Sequence, residues 1–240
     1  KAKSNIFAFQ KKNDFVILNK QNRYTREFGK DVISRRYWFS KKPFVEQNGV
    51  FVKNSKIIFR KAGKDSFVAP ISLLKVKGEH NLENVLAAVL TAKILGVANK
   101  YIKSSIGVFS GLTDRLEFVR EIKGSAFYND TAATIPDATI AALRSFSKKV
   151  VLIAGGVDKK LSYSNLAGEI SKHSKATVLL PGSATEKLKP YLRKKRIEYT
   201  ETKNLLQAVK TAYSLSNKKD SILFSPGAAS FNLFKNEFDR

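Results

Sequence analysis

The sequence predicts an α/β protein whose second half is built on a mostly parallel sheet, and two observations carry that prediction. From Ala126 onward, short apolar runs alternate with segments of helical spacing, the pattern of a Rossmann-like unit with helices on both faces of its sheet. Ahead of it, several β-rich runs are followed by a strongly periodic helix over 81–95, in which Leu82, Val85, Leu86, Val89, Leu90 and Ile94 recur on one face. The pattern changes at Gly111-Leu112-Thr113, so two domains are expected, 1–111 and 112–240.

Taken in order, a short helix is expected at 6–10 and a buried strand at 15–19. Runs 36–40, 49–53 and 56–60 are β-rich, and Asn54-Ser55 joins the last two as a hairpin. Gly96 suits the end of the 81–95 helix, and a second helix covers 100–109. In the second half, strands are expected at 126–129, 150–154, 176–180, near 198 and at 221–224. Helices are expected at 136–145, 163–171, 184–192 and 205–215, and residues 234–240 read as the interior of one more.

The chain has 240 residues, 43% of them hydrophobic, enough for one large core or two modest ones. No run approaches the roughly 18 to 20 apolar residues that span a bilayer, and the first residues are not those of a signal peptide, so a cytoplasmic protein with no membrane partner is expected. Zero Cys and two His exclude thiolate and histidine-rich metal sites and leave oxygen ligands for any metal. Zero Met implies a processed chain or a fragment. The formal charge of +24 invites a nucleic-acid partner, but the lysines are scattered over every predicted element and describe a solvated surface rather than a groove. The basic and aromatic stretch 35–42 could stack bases, although a strand flanked by solvated charges accounts for it better.

Ligands of parallel sheets sit beyond the carboxyl ends of the strands, and three such ends carry chemistry. After the first come Asn129-Asp130-Thr131-Ala132-Ala133-Thr134-Ile135-Pro136-Asp137-Ala138, with Thr134 expected to cap a helix and Pro136 to start it. After the second come Gly155-Gly156-Val157-Asp158-Lys159, paired glycines and a cation suited to a carboxylate or phosphate. After the third come Ser225-Pro226-Gly227-Ala228-Ala229-Ser230-Phe231, small residues leading into a helix start that favours anions. A turn, a cap and a solvated charge would explain each stretch singly; together they describe an anion-binding crevice.

These residues resemble the Mur ligases. Gly78-Glu79-His80-Asn81-Leu82-Glu83-Asn84-Val85-Leu86-Ala87-Ala88 is similar to the signature that closes their central ATPase domain, and Asp114-Arg115-Leu116-Glu117 to the arginine motif that opens their C-terminal domain. The three strand-end stretches look like those of the D-glutamate-adding members, and Ala2-Lys3-Ser4-Asn5 resembles the segment whose lysine is carbamylated. The resemblance implies the end of a central P-loop-type ATPase domain followed by a Rossmann-like C-terminal domain, acting as a monomer. It implies ATP and Mg2+ as cofactors, with UDP-N-acetylmuramoyl-L-alanine and D-glutamate as substrates, joined through an acyl phosphate. Asn81, Asn84, Arg115 and Asp130 would hold the nucleotide, Lys3 as a carbamate would sit near magnesium, and Thr134, Lys159, Ser230, Phe231 and Phe238 would receive D-glutamate. Closure of one domain on the other would pivot near Gly111. The phosphate loop of such ATPases is absent from the chain, so activity is not expected of it alone. Asp114, Ala132 and Ile135 depart from common His, Lys and Asn, which bears on the substrate and not on the family. Another Mur-type ligase or a folylpolyglutamate synthase is the alternative within enzymes, and a basic nucleic-acid-binding module the alternative outside them.

Overall fold

The structure, a computed structural model, describes residues 4–229. The chain divides into two compact units, Lys1–Ser110 and Gly111–Arg240. The predicted helix at 234–240 lies outside the described residues.

The first unit opens with α1 (Asn5–Ala8), β1 (Phe15–Asn19), α2 (Arg23–Asp31), β2 (Arg35–Ser40), β3 (Gly49–Lys53), β4 (Lys56–Lys61) and β5 (Lys64–Pro70), followed by α3 (Glu79–Ile94) and α4 (Asn99–Val108). Its five-stranded sheet has the order β1-β2-β3-β4-β5, parallel across β1, β2 and β3 and antiparallel beyond. The apolar stripe of α3 explains its place: Leu86, Val89 and Leu90 are buried with Val50, Ile57 and Phe59 of the sheet and with Ile102 and Ile106 of α4. Val16, Leu18 and Trp38 form a separate buried cluster. Trp38 is 8% exposed, so the one tryptophan of the basic and aromatic stretch packs inward, while Arg35 and Arg36 of the same strand are exposed.

Two elements of this unit, α2 and β5, are not expected from the sequence. The Asn22 side chain caps α2 by accepting from the amides of Tyr24 and Thr25, but only Gly29 of the helix is buried, so no apolar stripe announces it. The hairpins β3–β4 and β4–β5 both turn through two left-handed residues, Asn54-Ser55 and Ala62-Gly63, the twist that matches paired strands.

The second unit contains β6 (Glu117–Ile122), β7 (Ser125–Asn129), α5 (Pro136–Leu143), β8 (Val150–Gly155), α6 (Ser164–His173), β9 (Ser174–Leu180), α7 (Ser183–Lys194), β10 (Thr200–Glu201), α8 (Leu205–Ser214) and β11 (Ser221–Phe224). The strand order is β10-β9-β8-β11-β7-β6, parallel throughout except for β6, which joins β7 as an antiparallel hairpin. The apolar run of β8 follows from burial on both faces. Val150, Leu152 and Ala154 pack with Leu143, Leu166, Ile170 and Leu188, whereas Val151 and Ile153 pack with Ala208 and Ala212 of α8. Strand β6 is a further element the sequence pattern does not predict, and the short strand predicted near 198 is found at Thr200–Glu201.

Candidate functional site

In the order β8-β11-β7 the three chemistry-bearing strands are adjacent and parallel, so their carboxyl ends share one edge of the second unit. Backbone hydrogen bonds stitch the three following loops together. The Asp130 amide donates to the Phe224 carbonyl at 2.8 Å, the Ser225 amide to Ile153 at 3.0 Å, and the Gly155 amide to Pro226 at 2.9 Å. The Gly227 amide reaches the Ala133 carbonyl at 2.8 Å, and Val157 and Ala229 exchange a pair of bonds at 2.6 and 3.0 Å. With φ at +112° and +139°, Gly155 and Gly156 hold a backbone that side chains rarely adopt, which lets the loop lie against the neighbouring strand ends.

Asp130 opens the first loop, directly after β7, and is 7% exposed. The Leu116 amide donates to its Oδ1 at 3.1 Å and the Ser225 hydroxyl to its Oδ2 at 2.7 Å. Burial pushes its carboxyl up to about 6, against the Ser225 and Leu116 hydrogen bonds and the positive charge of Arg115. The turn carrying Arg115 is strapped to the same loop: Asn129 Nδ2 donates to Asp114 Oδ1 at 2.7 Å, and the Ala132 amide to the Asp114 carbonyl at 3.0 Å. Arg115 itself is exposed.

Lys159 is exposed in the loop after β8, beside an ordered neighbour. Asp158 pairs with Lys187 and accepts from the Leu161 amide at 3.1 Å and the Tyr163 hydroxyl at 3.2 Å, while its own amide donates to Ser183 Oγ at 3.0 Å. The Lys187 ammonium, helped by these donors, holds its carboxyl down at about 2. Burial, reinforced by the Asp158 charge, raises the Tyr163 phenol.

Thr134 is half-buried and does not cap α5: the N-cap is Ile135, with no side-chain hydrogen bond, and Pro136 takes the first helical position. The extended backbone of Ile135 suits a residue preceding proline, which moves the cap one place along. Asn81 and Asn84 lie in the first turns of α3 in the other unit, Asn81 donating to the Lys77 carbonyl at 2.7 Å and Asn84 exposed. Lys3, Ser230, Phe231 and Phe238 lie outside the described residues. Two residues to which sequence reading gives no role of their own belong to the same edge, Ser225, which enters only as the start of the third stretch, and Thr139, both fully buried. A threonine on the face of α5 that also carries Ile140 and Leu143 is the available signal.

Residues 114–227 match the family described as Mur ligase, glutamate ligase domain. The second unit belongs to the Mur ligase family. Similarity runs over the whole chain to the UDP-N-acetylmuramoylalanine--D-glutamate ligase of Acetivibrio thermocellus, 38% identical over 100% of this chain and 52% of that protein. The enzyme of the same name from Koribacter versatilis is 39% identical over 98% of this chain and 51% of its own. The chain thus spans about half the length of these curated relatives. Among solved structures, MurF from Acinetobacter baumannii has the same fold with a TM-score of 0.68 at 20% identity, covering 95% of this chain and 51% of that one. A bifunctional folylpolyglutamate synthase/dihydrofolate synthase from Yersinia pestis gives 0.67 at 13% identity, covering 94% and 52%. Beside these Mur ligase relatives, the alternating strands and helices of the second unit are a shared scaffold, and the residues at its carboxyl edge carry any specificity.

Proposed function

We propose that this chain is part of an ATP-dependent ligase that joins D-glutamate to UDP-N-acetylmuramoyl-L-alanine. The observation that carries the reading is the meeting of the Asp130, Gly155-Gly156 and Ser225 loops on one edge of a Mur ligase sheet, in a chain whose curated relatives are named for that reaction. ATP would supply a γ-phosphoryl group to the alanyl carboxylate, and the amine of D-glutamate would then displace phosphate to form the amide.

The chain's own residues would bind and orient. In the second unit, Arg115 is exposed and can swing an always-charged guanidinium toward nucleotide phosphates, and Asp130 is a fixed acceptor for nucleotide hydroxyls. Lys159, exposed on a loop that Asp158 pins in place, suits a D-glutamate carboxylate, with Thr134 on the loop that follows β7. Asn81 and Asn84 would serve the nucleotide from the first unit, and Ser230, Phe231 and Phe238 the amino acid. Lys3, as a carbamate, would stand near the magnesium that accompanies ATP; among the described residues no three His, Cys, Asp or Glu are grouped to hold a metal ion. No helix among the described residues is long and apolar enough to cross a membrane. The ATP that the reaction consumes places the proposed site of action in the cytoplasm.

The test is phosphate release by the full-length protein that contains this chain, supplied with ATP, magnesium and UDP-N-acetylmuramoyl-L-alanine. D-glutamate should support turnover where L-glutamate, L-lysine and diaminopimelate do not. Turnover with another amino acid, or with a folate acceptor and L-glutamate, would replace this reading.

A further inference from the structure

Asp130 is held from behind by hydroxyls. Ser225 Oγ lies 2.7 Å from Asp130 Oδ2, and Thr139 Oγ1 lies 2.9 Å from Ser225 Oγ and 3.2 Å from the Ser225 carbonyl oxygen. All three residues are buried, Ser225 and Thr139 completely. An ionised carboxylate only accepts, so the single Ser225 proton points at Asp130, and the Thr139 proton is left for the Ser225 oxygens. The Leu116 amide takes the other carboxylate oxygen from the opposite side. The charged group acting on this carboxylate is Arg115; the α5 and β11 sides offer only neutral hydroxyls.

We infer that Ser225 and Thr139 are positioning residues, a buried hydroxyl chain that fixes the orientation of the Asp130 carboxylate and keeps it ionised for the nucleotide. The inference rests on the reading of Asp130 as a nucleotide contact. The chain spans three elements, α5, the end of β11 and the loop after β7, so one small network ties the acceptor to the core of the sheet. The burial that raises Asp130 to about 6 is what makes the tie matter: without a donor on Oδ2, the acid would be protonated over more of the neutral range.

The test uses aspartate 13Cγ titration by NMR together with steady-state kinetics, both on the full-length protein that contains this chain. Ser225→Ala should move the Asp130 titration up by about one pH unit, the loss expected for one hydrogen bond to a charged group. Thr139→Val should move it less, and Thr139→Ser, which keeps the hydroxyl, should restore the wild-type curve. In the full-length protein Ser225→Ala should raise the KM for ATP about tenfold, shift the acid limb of kcat/KM with the titration, and leave the KM for D-glutamate unchanged. A folded Ser225→Ala protein with an unmoved titration, a Thr139→Ser curve that follows Thr139→Val, or an unchanged KM for ATP overturns the inference. Wild-type protein that makes no amide with D-glutamate while the titration shifts persist overturns the functional reading instead and leaves the hydroxyl chain standing.

Discussion

Two aspartates stand just beyond neighbouring parts of one sheet edge, and their carboxyls are driven in opposite directions. Asp130 is buried, receives only neutral donors at hydrogen-bond distance, and is raised to about 6; Asp158 meets the Lys187 ammonium and is lowered to about 2. The same residue type at the same kind of position thus serves two ends. Asp158 is a clasp whose charge is spent on its own loop, through Lys187, Leu161 and Tyr163. Asp130 is buried at a cost in stability and has acceptor capacity beyond its bonds to Leu116 and Ser225, which suits the nucleotide role proposed for it.

The sharpest way to break the comparison is to remove the edge that both residues share. Gly155→Val or Gly156→Val would force a Cβ against the Leu180 or Ala229 carbonyl at a φ that side chains rarely adopt. Each should cost roughly 3 kcal/mol or more, read as a fall in the urea midpoint of this chain. A midpoint within error of wild type would mean that the loops are not held as described.

Asp130→Asn comes next and separates function from stability. A carboxyl whose folded value lies above its ordinary 3.8 binds protons more tightly in the folded state, so its destabilising effect sets in as pH rises through 4 to 6 and is complete above 6. Asparagine carries no charge to bury, and the gap between 3.8 and about 6 corresponds to roughly 3 kcal/mol at most, less what the altered hydrogen bonds to Leu116 and Ser225 give back. The variant should therefore be as stable as wild type or more so at pH 7.5, and relatively less favoured at pH 4, while the full-length protein loses about a hundredfold in kcat/KM for ATP. Thermal melts at the two pH values check the sign; a loss of stability larger at pH 7.5 than at pH 4 contradicts it.

Much of this edge is legible in the sequence, and the misses have physical reasons. β8 announces itself because burial on both faces demands an unbroken apolar run, and Asp130 and Lys159 stand out by following such runs closely. β5 and β6 do not, because most of their side chains are exposed and their turns, Ala62-Gly63 and Lys123-Gly124, place an ordinary side chain in the left-handed region where Asn or Gly is expected. Ser225 and Thr139 are common residues made unusual only by burial, and their burial depends on α5 lying over the end of β11, a tertiary fact no local pattern contains. The Thr134 cap fails for a local reason, since Ile135 precedes Pro136 and is itself held extended.

Lys159→Met sharpens the comparison from the amino-acid side. A cation opposite a carboxylate contributes about 1.5 to 3 kcal/mol, so the KM for D-glutamate should rise by roughly ten- to a hundredfold in the full-length protein with kcat little changed. A fall in kcat at constant KM would assign Lys159 to the reacting atoms rather than to binding.

The smallest effect is expected from Lys187→Met, which loosens the clasp without touching the site. Because the Asp158 carboxyl is lowered in the folded state, its contribution to stability is present above about 4 and lost as pH falls toward 2. Removing Lys187 takes away the largest cause of that lowering, so the Asp158 13Cγ titration should return most of the way to its ordinary value and acid unfolding should begin at a slightly higher pH. The Leu161 amide and the Tyr163 hydroxyl still donate to Asp158, and its own amide still reaches Ser183, so the loop keeps three of its four ties. The KM for D-glutamate should then change by no more than about twofold, well short of the Lys159→Met effect. A change as large as that of Lys159→Met would mean that the ion pair, rather than the remaining hydrogen bonds, sets where Lys159 points, and Asp158 and Asp130 would then differ in means but share one task.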